Sequence, residues 1–133
     1  MKKRKIILLT VVLFISAVAI AQLWKGKTLS TNQVLKKWGN KTYIEAGFKT
    51  GSAAQKAEMA YQILSKKNKY IGIDVDEVRK IFGSPDGFYF IDSYPAYILQ
   101  EGKSYADETW QIVFLLNAEY KVRDVIVHKN CCD

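Results

Sequence analysis

The spacing of apolar residues changes once in this chain, from a helical to an alternating period, and the change falls at Gly83-Ser84-Pro85-Asp86-Gly87. Upstream, Ala53, Ala57, Ala60, Tyr61 and Leu64 recur at i, i+4, i+7, i+8 and i+11, one stripe of an amphipathic helix. Lys56, Glu58, Gln62 and Lys66 fall off the stripe, so a helix is predicted over 53–66. A shorter helix follows. Asp74 and Glu77 have the D-x-x-E spacing of a cap with a reciprocal acid, and Val75, Val78, Ile81 and Phe82 make one apolar face. Gly83 is placed to take a left-handed stop, and Pro85 forbids continuation because it has no amide to extend the ladder.

The same stretch, "DVDEVRKIFGSPDG" (74–87), crowds carboxylates and glycines as an ion-binding loop would. Both such readings fail on position. A calcium loop that starts D-x-D needs a third oxygen ligand and then a glycine, where Val78 and Arg79 stand. A phosphate loop puts its glycines before a helix, and here they follow one. The stretch is punctuation around a helix.

Beyond Gly87, "FYFID" (88–92) and "YPAYILQ" (94–100) are rich in aromatic and branched residues and are predicted strands, with Pro95 confining the second to an edge or a strand start. "TWQIVFLL" alternates, with Trp110, Ile112, Phe114 and Leu116 on one face. Asn117-Ala118-Glu119 is a turn, after which "YKVRDVIVH" returns as a partner strand. Its alternation slips around Asp124, which requires a bulge or burial of both faces. This order predicts an α+β fold, two helices packed on one face of a three- to four-stranded antiparallel sheet.

Ahead of these elements stand Lys2, Lys3, Arg4 and Lys5, and then an uncharged, mostly apolar run over 6–21. Such a run is a secretory signal peptide or an N-terminal membrane anchor. Ala17, Ala19 and Ala21 supply processing sites, whereas Leu23 and Trp24 would carry the run to the interface, placing 6–24 in the inner membrane if it is uncleaved. In either case the basic flank stays cytoplasmic and the rest is exported. The expected location is periplasmic, secreted or anchored to the inner membrane facing the periplasm. Residues 22–52 read as a basic linker: a short helix from Ser30 or Thr31 to the stop at Gly39, then "NKTYIEAGFKTGS" as loop. The expected division is therefore 1–21 signal or anchor, 22–52 linker and 53–133 domain.

The net charge is +7, concentrated in the first half, where 22–69 carry ten Lys against Glu45 and Glu58. A basic stretch beside a membrane segment is drawn to anionic headgroups or is simply a solvated connector. Export excludes nucleic acid as its partner.

Little in the sequence supports catalysis. The single His lacks a nucleophile, "GSPDG" is not a nucleophile elbow, and Asp107 and Glu108 fall in a hairpin loop. No cofactor is expected. His128, Cys131 and Cys132, at i, i+3 and i+4, could ligate zinc or copper as a weak alternative. Adjacent cysteines bridge each other only with strain, so Cys131 and Cys132 form a strained pair, an intermolecular disulfide or free thiols. Aromatic density is more suggestive. Phe88, Tyr89, Phe90, Tyr94 and Tyr97 crowd together, and Tyr89, Tyr94, Tyr97 and Trp110 are the candidate partner-binding residues. A wholly buried cluster at the sheet edge is the alternative.

Gly72 ahead of a helix, Val78 within it, the terminal Gly83-x-Pro85 and a strand with Val122 and Val125 resemble the pattern of the SmpA/OmlA (BamE-like) fold family. With Asp74, these are expected to be structural residues. The resemblance covers about half the chain and implies a fold similar to that of β-lactamase inhibitor proteins, in domains that bind other proteins or lipid headgroups. The acylated N-terminal Cys of the outer-membrane members has no counterpart near the apolar run. The expected function is a non-enzymatic, periplasm-facing binding module for a protein or an envelope component such as a lipid. A thiol- or metal-dependent protein using His128, Cys131 and Cys132, or an immunity-type inhibitor of a toxin, is the alternative.

Overall fold

Side-chain caps set where three of the four helices begin. In the computed structural model, which describes residues 27–103 and 109–129, Ser30 accepts from the Gln33 amide (3.3 Å) while Gln33 Oε1 accepts from the Ser30 amide (2.8 Å). This reciprocal box opens helix α1, Thr31–Trp38, which Gly39 ends at φ 84°. A second box, Ser52 with Gln55, opens helix α3, Ala53–Ser65. Between them lies helix α2, Glu45–Thr50, braced by the Glu45–Lys49 ion pair (2.6 Å) one turn apart. Helix α4, Val75–Phe82, is capped from one side: Asp74 accepts from the Asp76 amide (2.9 Å), while Glu77 turns to Lys80 (3.7 Å). Gly83 then takes φ 87° and ψ −169°, a region essentially closed to residues with a Cβ.

Four strands form one antiparallel sheet: β1 Lys27–Leu29, β2 Ala96–Gln100, β3 Trp110–Leu116 and β4 Val122–Lys129, in the order β1-β4-β3-β2. The slip in the last strand is a register shift: Asp124 faces Leu115 and Val122 faces Leu116, leaving Arg123 as the extra residue. Its Nε donates to the Leu116 carbonyl (3.1 Å). The bulge returns Val122, Val125 and Val127 to one face, where they meet Val34, Phe48, Ala57, Ile63, Val78 and Phe82 from the helices. Phe82 is the hub of this core, its ring 4.7 Å from Phe114 and 5.5 Å from Phe48.

The architecture is thus α+β, with four helices and four strands where two sheet-packed helices, a short helix before Gly39 and three to four strands are expected. The difference lies in 22–52. Residues 27–50 are not a linker: β1 pairs with β4, and Val34 and Phe48 are fully buried. Lysine density hides this, because Lys36, Lys37 and Lys49 hold the outer faces of short helices whose inner faces bury one apolar residue each. A second correction concerns 88–92. No strand forms there, because Phe90 turns the chain at φ 55° and leaves only a narrow Tyr89–Ile91 bridge. Aromatic and branched residues suit a half-buried surface, and this segment finds one without pairing.

Candidate functional site

The helices cover one face of the sheet, and the segment 84–95 crosses the other as a strap. It begins along the outer edge of β2. Asp86 Oδ1 accepts from the Ile98 amide (2.8 Å) and the Gly87 amide donates to the Ala96 carbonyl (2.9 Å), satisfying edge groups that a lone edge strand would leave open. The other Asp86 oxygen holds Lys56 Nζ at 2.6 Å. The strap then passes over Gln111, which points away from the helices and is fully buried. Gln111 Nε2 donates to the Phe88 carbonyl (2.5 Å), and its Oε1 accepts from the Phe88 amide (3.1 Å). One side-chain amide thereby replaces the pair of ladder bonds that a neighbouring strand would supply. Gly87 must be glycine here, since a Cβ would overlap Gln111 Oε1 and lie 3.2 Å from the Ala96 backbone.

Past Gly87 the strap reaches β4. The Tyr89 ring stands edge-on to His128 (4.8 Å, 83°), and the Phe90 ring packs edge-on to Tyr89 (4.7 Å). Burial raises the Tyr89 phenol pKa; Tyr94 raises it further and Arg123 opposes. What the strap does not bury is Phe88, Phe90 and Ile91, which are 46%, 56% and 50% exposed. Three apolar side chains held in water on a segment fixed from beneath form the most conspicuous surface feature among the described residues. A left-handed φ at an aromatic residue adds backbone strain to that cost.

Of the four aromatic residues expected to bind a partner, two are placed otherwise. Tyr97 and Trp110 project from the helix-covered face, because strand alternation puts them in register with the core. The Tyr97 hydroxyl donates to the Gly83 carbonyl (2.9 Å), and its ring meets Phe48, Phe82 and Phe114. Burial drives its pKa well above the ordinary phenol range; Arg79 opposes, and Asp86 and Tyr43 add to the rise. Trp110 packs edge-on to Trp38 (6.1 Å) with Lys37 Nζ over both rings. Tyr89 and Tyr94 lie on the strap, half-buried, with rings 6.3 Å apart. The exposed residues are their neighbours Phe88, Phe90 and Ile91, together with the buried Gln111 that holds them. A glutamine inside the otherwise apolar "WQIVFLL" is the signal in the sequence for that role.

His128 is buried on the strap-covered face beneath Tyr89, in register with Gln111 and Thr28. Cys131 and Cys132, like Asp107 and Glu108, lie outside the described residues. Among the described residues no three His, Cys, Asp or Glu side chains converge as metal ligands. Gly72 adopts φ 86° and its amide donates to the Val122 carbonyl (2.7 Å), while Val78, Val122 and Val125 lie in the core and Pro85 opens the strap. An open cleft of about 680 Å³ lies between Trp38, Ala53, Ala57, Glu58 and Leu99, with Glu101 at its rim. Glu58 is already paired with Lys41 (2.9 Å), and Ser52, which also lines the cleft, accepts from the Gln55 amide as the cap of α3.

Compared with known proteins, the chain matches no family model, no curated protein and no solved structure. No helix among the described residues is long and apolar enough to cross a membrane.

Proposed function

We propose that the protein is a non-enzymatic binding module of the cell envelope, facing the periplasm, which presents the strap to a protein or another envelope component. The observation that carries the reading is the exposure of Phe88, Phe90 and Ile91 on a backbone fixed by Gln111, Asp86 and the Tyr89–His128 contact. A surface already held in one conformation binds without the entropy cost of ordering it, which justifies keeping apolar groups in water. The kinship with SmpA/OmlA-like domains belongs to the same proposal. It is supported by the positive φ at Gly72 and Gly83 and by the core positions of Val78, Val122 and Val125.

A photo-crosslinking phenylalanine analogue placed at position 90 in living cells tests the reading. Tyr120, 58% exposed in the β3–β4 hairpin at the other end of the sheet, is the matched control. Adducts at 90 and not at 120 are expected. Equal yields at both positions would reduce the strap to ordinary surface.

A further inference from the structure

We infer that Phe88, Phe90 and Ile91 insert into the bilayer that holds the chain's own N-terminal apolar run, so that the strap side of the sheet rests on the membrane. The inference deepens the binding-module reading by choosing the partner, and it rests on 6–24 being retained in the membrane.

The placement of Lys27 carries it. The last rung of the sheet runs Lys27, Lys129, Trp110, Gln100, and the next rung places Thr28 beside His128. The Tyr89 ring sits on that His128 and the Phe90 ring on Tyr89. The exposed apolar side chains therefore stand over the strand pair where the chain enters the fold. Ala21, the last residue of the uncharged run, is six residues from Lys27, which an extended chain spans in about 20 Å at most. If the run extends to Trp24, three residues remain, about 10 Å. Lys27 is held within that distance of the apolar layer, and Tyr89 of the strap lies on His128, one rung away. Of two comparably exposed aromatic positions, Phe90 packs on the Tyr89 ring above His128, and Tyr120 lies in the β3–β4 hairpin.

The chemistry is that of apolar insertion at an interface, where aromatic side chains are favoured, and not of headgroup capture. Lys27, Lys129 and, through its place over the Trp110 ring, Lys37 stand at this end. Their attraction for anionic headgroups is screened by salt whereas apolar insertion is not, so the contact should persist in salt that screens surface charge.

The test uses the full chain reconstituted in vesicles of phosphatidylethanolamine and phosphatidylglycerol, with no other protein present. Cys131→Ser and Cys132→Ser clear the background. Ile91→Cys or, as control, Tyr120→Cys then carries an environment-sensitive fluorophore, and thermal melts check that both variants fold. Expected are flotation with the vesicles, a blue shift and quenching by nitroxide-labelled acyl chains at 91 but not at 120, and no loss of that contrast at about 0.5 M salt. Flotation with identical, water-like emission at both positions would overturn the lipid contact. A protein adduct at position 90 in cells would then keep the binding module standing. Failure to float, or a mature N-terminus in cells lying beyond residue 19, would overturn the inference at its anchor and leave the crosslinking test intact. Quenching at both positions would also overturn it, since the domain would then have no preferred side.

Discussion

Gln111 shows how much one side chain can decide. It is the only uncharged amide in β3, fully buried, and it supplies both backbone partners of Phe88. Replacing it with Leu keeps the volume but leaves those two groups without their partner, which should cost about 1–3 kcal/mol in urea unfolding. The same variant should become sensitive to chymotrypsin at Phe88, Tyr89 and Phe90; unchanged cleavage would mean the ring contacts alone hold the strap. Tyr97 makes a separate, pH-dependent case. Its phenol pKa is raised by burial, so the neutral form is favoured in the fold, whereas in the unfolded chain it ionises near pH 10. The stability it contributes is therefore complete below about pH 10 and is lost as pH rises towards the folded value. Tyr97→Phe, which removes the bond to the Gly83 carbonyl, should cost about 1 kcal/mol at pH 8. That difference should shrink between pH 10 and 11, and a constant difference across the range would contradict the assignment. Tyr43 and Tyr70, also raised by burial, remain in both proteins and cancel.

At the scale of elements, the ends of helices were the most legible part of the sequence. Ser30, Asp74, Gly39 and Gly83 sit where caps and stops are expected, because caps depend on a few neighbouring atoms. Gly83→Val should destabilise the fold by about 1–3 kcal/mol, since φ 87° with ψ −169° excludes a Cβ and the added atom would lie 3.2 Å from Lys49 Cγ. Asp74→Ala should cost about 1 kcal/mol through the lost cap. Calcium should shift neither melting temperature; a calcium-dependent rise that vanishes in the Asp74 variant would return the stretch to ion binding. Helix α2 and strand β1 were hidden for a physical reason. Their stability comes from Phe48 against Phe82 and from pairing with a strand at the far end of the chain, and neither leaves a local period. For α2 one trace was available, the Glu45–Lys49 spacing in its favourable order. The strap defeats sequence reading differently. An aromatic-rich run looks the same whether it pairs as a strand or lies across a sheet, and only Gln111 and the positive φ of Phe90 tell the two apart.

For the whole molecule, the inclusion of 27–50 changes what counts as a domain. A fragment comprising 53–133 lacks Val34 and Phe48, both fully buried, and exposes the edge of β4 that β1 covers. It should show no cooperative thermal transition, whereas the chain from residue 27 should melt in one step; a sharp transition in the shorter fragment would restore the linker. The pairing of β1 with β4 also has a consequence in time. The first strand made is held by the last, so closing the sheet joins segments separated by nearly the whole described chain. Contacts that distant form late, because the intervening loop must be ordered before they can be rewarded. During synthesis or passage through a narrow channel, Lys27, Thr28 and Leu29 emerge before the other strands of the sheet and wait longest for a neighbour. Until Val127, His128 and Lys129 follow, this first strand of the sheet stays unpaired, and any arrest short of those residues leaves a sheet that cannot close.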